Sequence, residues 1–235
     1  MAETRIQVAP LMHVGIYSIP EAARFTGLDE SRVRRWLSGY SYVTSGKRRS
    51  SPPVWSGQLA PIGGRRAVSF RDLIEMRFVD AFLRAGVSWK TIRDVQDLAR
   101  RQFQFDHPFS TNRFRNDGNQ LVMTALRDDR QGNLFDVSTR QTIFLEAAEP
   151  LREELEMNEF DQVCRWWPLG RRRFVVLDPT RQWGRPLVAR SGLPTAVIAA
   201  AHQRGMEPRK IAQWLDAQEA EVTDAVAFET GGYDT

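Results

Sequence analysis

Apolar residues recur at helical spacing through most of the first hundred positions, broken by one polar stretch. Ser18-Ile19-Pro20-Glu21 has the chemistry of a helix start: Ser18 caps, Pro20 suits the first turn, and Glu21 completes a capping box. The pattern predicts a helix over Pro20–Phe25 that stops at Thr26-Gly27, where glycine takes the left-handed turn conformation. Asp29 caps a second helix, Glu30–Ser38, whose spacing sets Val33, Trp36 and Leu37 on one side and Arg32, Arg34 and Arg35 largely elsewhere. Two short helices joined by about four residues that include glycine make a helix-turn-helix.

Residues 40–68 lose this period and gain turn formers. Tyr40–Val43 and Val54-Trp55 are expected to pair as a hairpin, a wing with Lys47-Arg48-Arg49 at its tip. A second turn is expected at Gly63-Gly64, ahead of Arg65-Arg66. Ser69 then caps a helix reaching Arg84, and Ser88 caps another over Trp89–Gln102 with Ile92, Val95 and Leu98 at helical spacing.

Residues 103–145 read as β, with Asn116–Asn119 and Asp128–Asn133 as turn signals around Leu121–Leu126 and Leu134–Val137, and Gln141–Leu145 following. Pro150–Asn158 is expected to be an acidic helix whose solvated face carries Glu149, Glu153, Glu154 and Glu156. Trp166-Trp167, just after Cys164, are expected in the core or in a dimer seam. Arg172–Leu177 reads as a strand and Gly184–Val188 as a second extended piece. Helices are expected over Pro194–Arg204, from Pro208 with Ile211, Trp214 and Leu215 as its apolar stripe, and over Glu219–Phe228, ahead of Gly231-Gly232 and a frayed tail. No repeat stands out, although helix-turn-helix pairs occur at both ends. The expected fold is mainly α with a small β component. It comprises a winged helix-turn-helix over 1–102, a β-hairpin-rich connector with an acidic helix over 103–170, and a three-helix domain over 171–235.

Charge gives these segments different tasks. The 235 residues carry 33 Lys+Arg and 29 Asp+Glu, a formal net charge of +4. Residues 1–101 hold 17 basic and 9 acidic groups, whereas 102–235 hold 16 and 20. Only Lys47, Lys90 and Lys210 are lysine. A basic front suits a polyanion. Cys164 is the only cysteine, so neither a disulfide framework nor a thiolate metal site is expected. His13, His107 and His202 lack the paired spacing of a zinc helix, and His107 and His202 are expected to be ordinary surface or capping residues. No run of about 18 apolar residues and no signal-type start is present, so a cytoplasmic chain away from the membrane is expected. No Ser/His/Asp order, phosphate loop or paired-carboxylate site is found, and neither an enzyme nor a cofactor is expected.

The candidate chemistry is therefore recognition of double-stranded DNA. Ser31, Arg32, Arg34 and Arg35 on the second helix are placed to read base edges, and arginine suits bidentate contact with guanine. Lys47, Arg48 and Arg49 are candidates for contact with phosphate or the minor groove, Arg65 and Arg66 after their glycines for phosphate, and Tyr42 on the hairpin is a further candidate DNA contact.

The run Ile16–Leu28 followed by Val33-Arg34-Arg35-Trp36 resembles the MerR-type winged helix. Arg66–Leu73 resembles that family's wing-to-helix segment, and Ala85–Ile92 its turn into the next helix. The loop over 41–64 is longer than that family's, and neither a long coiled coil nor a cysteine effector site follows. Further on, Leu177-Asp178-Pro179, Trp183–Val188, Pro194-Thr195 and Gly205–Ala212 resemble a small helical domain of VapB-type antitoxins, with a departure at Ala189–Leu193. Together the two resemblances imply a dimeric antitoxin that represses its own operon and binds a PIN-like ribonuclease toxin. Such a toxin holds Mg²⁺ with clustered carboxylates, so Arg171, Arg172, Arg173 and Arg185 are candidate toxin contacts, beside a plain role in salt bridges. A regulator with an effector pocket in the β middle, and a scaffold docking on RNA or protein, are the alternatives.

Overall fold

The computed structural model describes residues 13–128 and 134–231. They are mainly helical with three small two-stranded antiparallel pairs, as the sequence predicts. Two compact units divide them, one holding 16–151 and 159–162, the other 13–15, 152–158 and 163–231. The expected turn over Asp129–Asn133 and the tail from Gly232 lie outside the described residues.

In the first unit, α1 (Ile19–Thr26) starts at the predicted capping box. The Glu21 amide donates to Ser18 Oγ at 3.3 Å, and the Ser18 amide donates to Glu21 Oε2 at 2.7 Å. Gly27, at φ 71°, ends it, and α2 (Glu30–Ser38) follows after three residues, burying Val33, Trp36 and Leu37. Gly39, at φ 68°, then sends the chain into β1 (Tyr40–Thr44). A Cβ on Gly39 would lie 2.4 Å from the Ser51 carbonyl oxygen, so the close approach of the strands requires glycine.

The hairpin differs from expectation. β1 pairs with β2 (Lys47–Ser51), not with Val54-Trp55. Ser45 and Gly46, at φ 49° and 72°, form a two-residue turn of the twist that hairpins favour. The tip is therefore Ser45-Gly46, and Lys47-Arg48-Arg49 lie along the returning strand. Val54 and Trp55 instead enter the core, 7% and 1% exposed. The turn at Gly63-Gly64 forms as predicted, closed by paired bonds between Ile62 and Arg65 at 2.8 and 3.0 Å.

Ser69 caps α3 (Phe70–Arg84) and Ser88 caps α4 (Trp89–Phe103). The middle of the chain is not β. α5 (Asn112–Asp128) and α6 (Leu134–Glu154) replace the hairpins expected over 103–145, and most of the acidic helix becomes the end of α6. Asn116–Asn119 is not a turn but part of a helix whose buried stripe is Phe114, Leu121, Val122 and Ala125. Gly118 belongs to that stripe. A Cβ there would meet the Phe114 ring at 3.5 Å, an ordinary contact distance, so the position is a buried point within the helix rather than a turn. Phe78, Phe82, Phe109, Phe114 and Phe144 form the aromatic core beneath these helices, the Phe82 and Phe144 rings stacked at 3.9 Å.

In the second unit, β3 (Leu155–Met157) pairs with β4 (Val163–Trp166), where an acidic helix was expected to reach Asn158. Trp166 is 1% exposed and so lies in the core. β5 (Val175–Val176) pairs with β6 (Leu187–Val188). Then α7 (Thr195–Gln203), α8 (Pro208–Leu215) and α9 (Glu219–Thr230) pack around Val188, Ile198, Ile211, Val222 and Ala225.

The structure also reveals a repeat that the sequence alone hides. Gly27-Leu28-Asp29, Arg32-Val33 and Trp36-Leu37 recur at identical spacing as Gly205-Met206-Glu207, Lys210-Ile211 and Trp214-Leu215. Both glycines are left-handed, at φ 71° and 90°; Asp29 and Glu207 both precede their helix in extended conformation; and Val33 and Ile211 are both fully buried. Chemical type recurs more than identity, which masks the match. The tryptophans differ in environment: Trp36 is 4% exposed and Trp214 65%. Trp36→Ala is therefore expected to cost about 3–5 kcal/mol, and Trp214→Ala less than about 0.5. Denaturant melts of the two variants check this.

Candidate nucleic-acid interface

α2 carries the predicted reader residues, but the structure sorts them. Ser31, Arg34 and Arg35 are exposed. Arg32 is half-buried, and its Nη1 donates to Asp80 Oδ1 of α3 at 3.1 Å, while Arg84 meets the other Asp80 oxygen at 2.6 Å. Arg32 thus fastens α2 to α3. Arg34 lies 2.8 Å from Glu30 in an exposed i,i+4 pair that another anion can displace. Arg35 donates to the Ser31 carbonyl at 3.3 Å and sits 5.8 Å from the Tyr40 ring.

The hairpin register divides the basic triplet. Tyr40↔Ser51, Tyr42↔Arg49 and Thr44↔Lys47 are paired, so Lys47 and Arg49 share a face with both tyrosines, whose rings lie 5.7 Å apart. Arg48 pairs with Val43 on the opposite face. Every residue from Ser41 to Ser50 is exposed, so this strand pair has no core of its own.

Two grooves flank α2. One, of about 720 Å³, is lined by Ser18, Ile19 and Pro20 at the start of α1 and by Arg34, Ser38, Arg65 and Arg66. Here Arg66 also donates to the Leu37 carbonyl at 3.4 Å, which covers the C-terminal end of α2. The other groove, of about 360 Å³, has arginines at 32, 35 and 93 around Trp36, Tyr40 and Trp89. Arg93 donates to Ser51 Oγ and the Pro52 carbonyl at 3.1 and 3.2 Å, and its guanidinium lies 6.0 Å from the Trp89 ring. Sequence reasoning missed Arg93 and Tyr40; the i,i+4 spacing of Trp89 and Arg93 was the available signal. A helix flanked by arginine-lined grooves, with a basic hairpin beside it, presents hydrogen-bond donors to a polyanion on three fronts.

A buried carboxylate supports this surface. Trp36 packs edge-on against Trp55 at 6.4 Å and against Trp89 at 5.6 Å. Trp55 Nε1 donates to Asp72 Oδ1 at 2.8 Å, and Asp72 also accepts the Ser69 amide at 2.9 Å. His107 Nε2 lies 2.7 Å from the same Asp72 oxygen. An ionised carboxylate only accepts, so His107 Nε2 carries the proton. His107 is thus 3% exposed and part of the core, not the surface or capping residue expected, because its partner lies 35 positions away in the chain. His202 lies near the surface, its Nδ1 3.1 Å from the Met206 carbonyl in the turn after α7. Next to Asp72 on α3, Glu75 Oε1 accepts the Phe109 and Ser110 amides at 2.8 and 3.3 Å.

The candidate toxin contacts divide as well. Arg173 pairs with Asp224, its Nε 2.9 and 3.0 Å from the two carboxylate oxygens and its Nη2 2.6 Å from Oδ1, and Arg171 donates to the Leu155 carbonyl. Arg172 and Arg185 are exposed, with no side-chain partner among the described residues. Among the described residues, no helix is long and apolar enough to cross a membrane.

No family model matches the chain. It is 24% identical over 231 residues to the protein named "Putative antitoxin VapB45" of Mycobacterium tuberculosis, covering 87% of this chain and 94% of that one. The fold matches the crystal structure of Rv2018 from Mycobacterium tuberculosis with a TM-score of 0.69 at 19% identity, over 92% of this chain and 99% of that one.

Proposed function

We propose that this chain is a non-enzymatic, DNA-binding antitoxin of a type II toxin–antitoxin system, which represses its own operon and neutralises a PIN-like ribonuclease. The observation that carries the DNA half is the exposed Arg34 and Arg35 of α2 between two arginine-lined grooves, with Lys47 and Arg49 beside them on one hairpin face. The antitoxin half is supported by similarity along most of the chain to a protein bearing that name. In this reading α1–α2 is a MerR-like helix-turn-helix, the β1–β2 hairpin is its wing, and the α7–α9 unit serves the toxin. Ser31, Arg34 and Arg35 read bases, whereas Lys47, Arg49, Arg65 and Arg66 hold phosphates. A homodimer sets two α2 helices about 34–36 Å apart on an inverted repeat.

The regulator alternative loses its β pocket, since residues 112–128 are helical. The decisive test is co-expression. The adjacent reading frame is expected to encode a small PIN-like protein that arrests growth alone and is silenced by this chain. Arrest that persists on co-expression would sink the antitoxin assignment.

A further inference from the structure

Gln182, Trp183 and Gly184 stand in the left-handed region one after another, at φ 45°, 60° and 83°. Among the described residues with positive φ other than glycine, Trp183 alone is large and apolar; the rest are histidine, serine, glutamine or aspartate. A side chain of that size is rarely found there, because its Cβ crowds the backbone. Hydrogen bonds hold the turn from both sides. Arg181 Nη1 donates to the Ala189 carbonyl and Gln182 Nε2 to the Gly192 carbonyl, both at 2.8 Å. The Gly184 amide donates to the Arg181 carbonyl at 2.9 Å, and Asp178, itself gripped by Arg165 at 2.9 Å, accepts the Thr180 amide and hydroxyl at 2.9 and 2.6 Å.

The side chain that this backbone carries is only half covered by the chain. Trp183 is 50% exposed, and its ring and Nε1–H have no partner among the described residues. Two residues on, the Arg185 guanidinium is likewise exposed and unpaired among the described residues. A turn forced into an unfavoured conformation by its surroundings, presenting an idle indole and an idle guanidinium, has the build of a clamp. Tryptophan and arginine are also the residue types that dominate the energetics of protein interfaces.

We propose that the Gln182–Arg185 turn is the anchor by which this chain grips its partner protein, the Trp183 indole filling an apolar pocket and the Arg185 guanidinium meeting a carboxylate at that pocket's edge. The inference rests on the antitoxin reading, which supplies the partner: a toxin whose surface offers carboxylates. Both groups are donors, so the partner supplies the acceptors, and the planar guanidinium matches a carboxylate with two parallel bonds.

The test is a binding titration of the full chain against the purified product of the adjacent reading frame, with thermal melts of the free chain alongside. Trp183→Gly puts at φ 60° the residue that tolerates it, so the variant is expected to melt at or above the wild-type temperature. Its affinity is nevertheless expected to drop by about 30-fold or more, and that of Arg185→Ala by about tenfold. A purely structural tryptophan gives the opposite pattern, a lower melting temperature with affinity within about threefold, and that result overturns the proposal. Lower melting temperature together with abolished binding overturns it too, since the indole then serves the fold. A wild-type chain that does not bind the product at all refutes the antitoxin reading, and this inference with it.

Discussion

Asp72→Ala is expected to unfold the first unit far more readily than any surface change. It strips the acceptor from Trp55 Nε1, His107 Nε2 and the Ser69 amide in a site where Asp72 is 0% exposed. Buried donors left without partners cost about 1–3 kcal/mol each, so a loss of about 3–5 kcal/mol is expected, against a total of about 5–15 for a typical domain. Asp72→Asn keeps one acceptor oxygen and is expected to lose less. Urea melts followed by tryptophan fluorescence read the effect, because Trp55 and Trp36 pack against each other beside the carboxylate. A wild-type midpoint for Asp72→Ala would show the carboxylate to be idle.

The same residue gives the pH dependence its sign. Burial raises the Asp72 carboxyl, but the hydrogen bond and charge of His107, with the bonds to Ser69, outweigh it and hold the group below its ordinary value. Its stabilisation is present above the ordinary carboxylate range and is lost as pH falls through the lowered folded value. Glu75 runs the other way. Complete burial holds it well above the ordinary range, although the Ser110 and Phe109 amides and Arg100 pull it down. The folded chain keeps a proton there that the unfolded chain gives up, so that contribution is lost as pH rises from the ordinary carboxylate range. Asp72→Ala is expected to flatten the acid limb of the stability curve and, because the Asp72 charge helps to raise Glu75, to shrink the limb above it too, whereas Glu75→Gln is expected to flatten the limb above.

The second large effect concerns DNA. Each phosphate neutralised by a cation contributes about 0.9 to the slope of log affinity against log salt. Lys47 and Arg49 share the tyrosine face of the hairpin, so Lys47→Ala with Arg49→Ala is expected to flatten the slope by about 2. Arg48→Ala, on the opposite face, is expected to leave it unchanged. Arg34→Ala with Arg35→Ala is expected to act on preference for the operator over random duplex, by about 1–3 kcal/mol for each base-reading arginine removed. Arg32→Ala differs again, lowering stability through Asp80 without altering the slope. Mobility shifts at several salt concentrations separate these outcomes. An unaltered slope in the first pair and unaltered preference in the second would remove the DNA assignment.

How far the sequence could be read depended on the range of each signal. Ser18 and Glu21, or Ser69 and Asp72, are three positions apart, and such caps are legible because both partners share one turn. Arg34 and Arg35 were legible as exposed because Val33, Trp36 and Leu37 claim the other side of α2. Asn116–Asn119 misled because asparagine, aspartate and glycine favour turns in isolation, while burial of Phe114, Leu121, Val122 and Ala125 along one side of α5 holds the segment helical. Arg32 looked like a base reader, and the salt-bridge role weighed for Arg173 had no nameable partner, since Asp80 and Asp224 lie 48 and 51 positions away. The division of Lys47, Arg48 and Arg49 between two faces needed the strand register, which the position of the Ser45-Gly46 turn sets.

That register has a hard stop at its base. Position 39 cannot accept a side chain without parting β1 from the Ser51 carbonyl and the Pro52-Pro53 backbone, which a Cβ there would meet at 2.4 to 3.0 Å. The gap between α2 and the hairpin is therefore set by the absence of a single carbon atom rather than by any side chain that could be tuned. Substitutions at the exposed positions of α2 or of the hairpin change their charge and leave that gap as it is. If α2 and the hairpin meet DNA as proposed, this fixed span predicts that bound duplexes share one spacing between the bases facing α2 and the phosphates facing the hairpin.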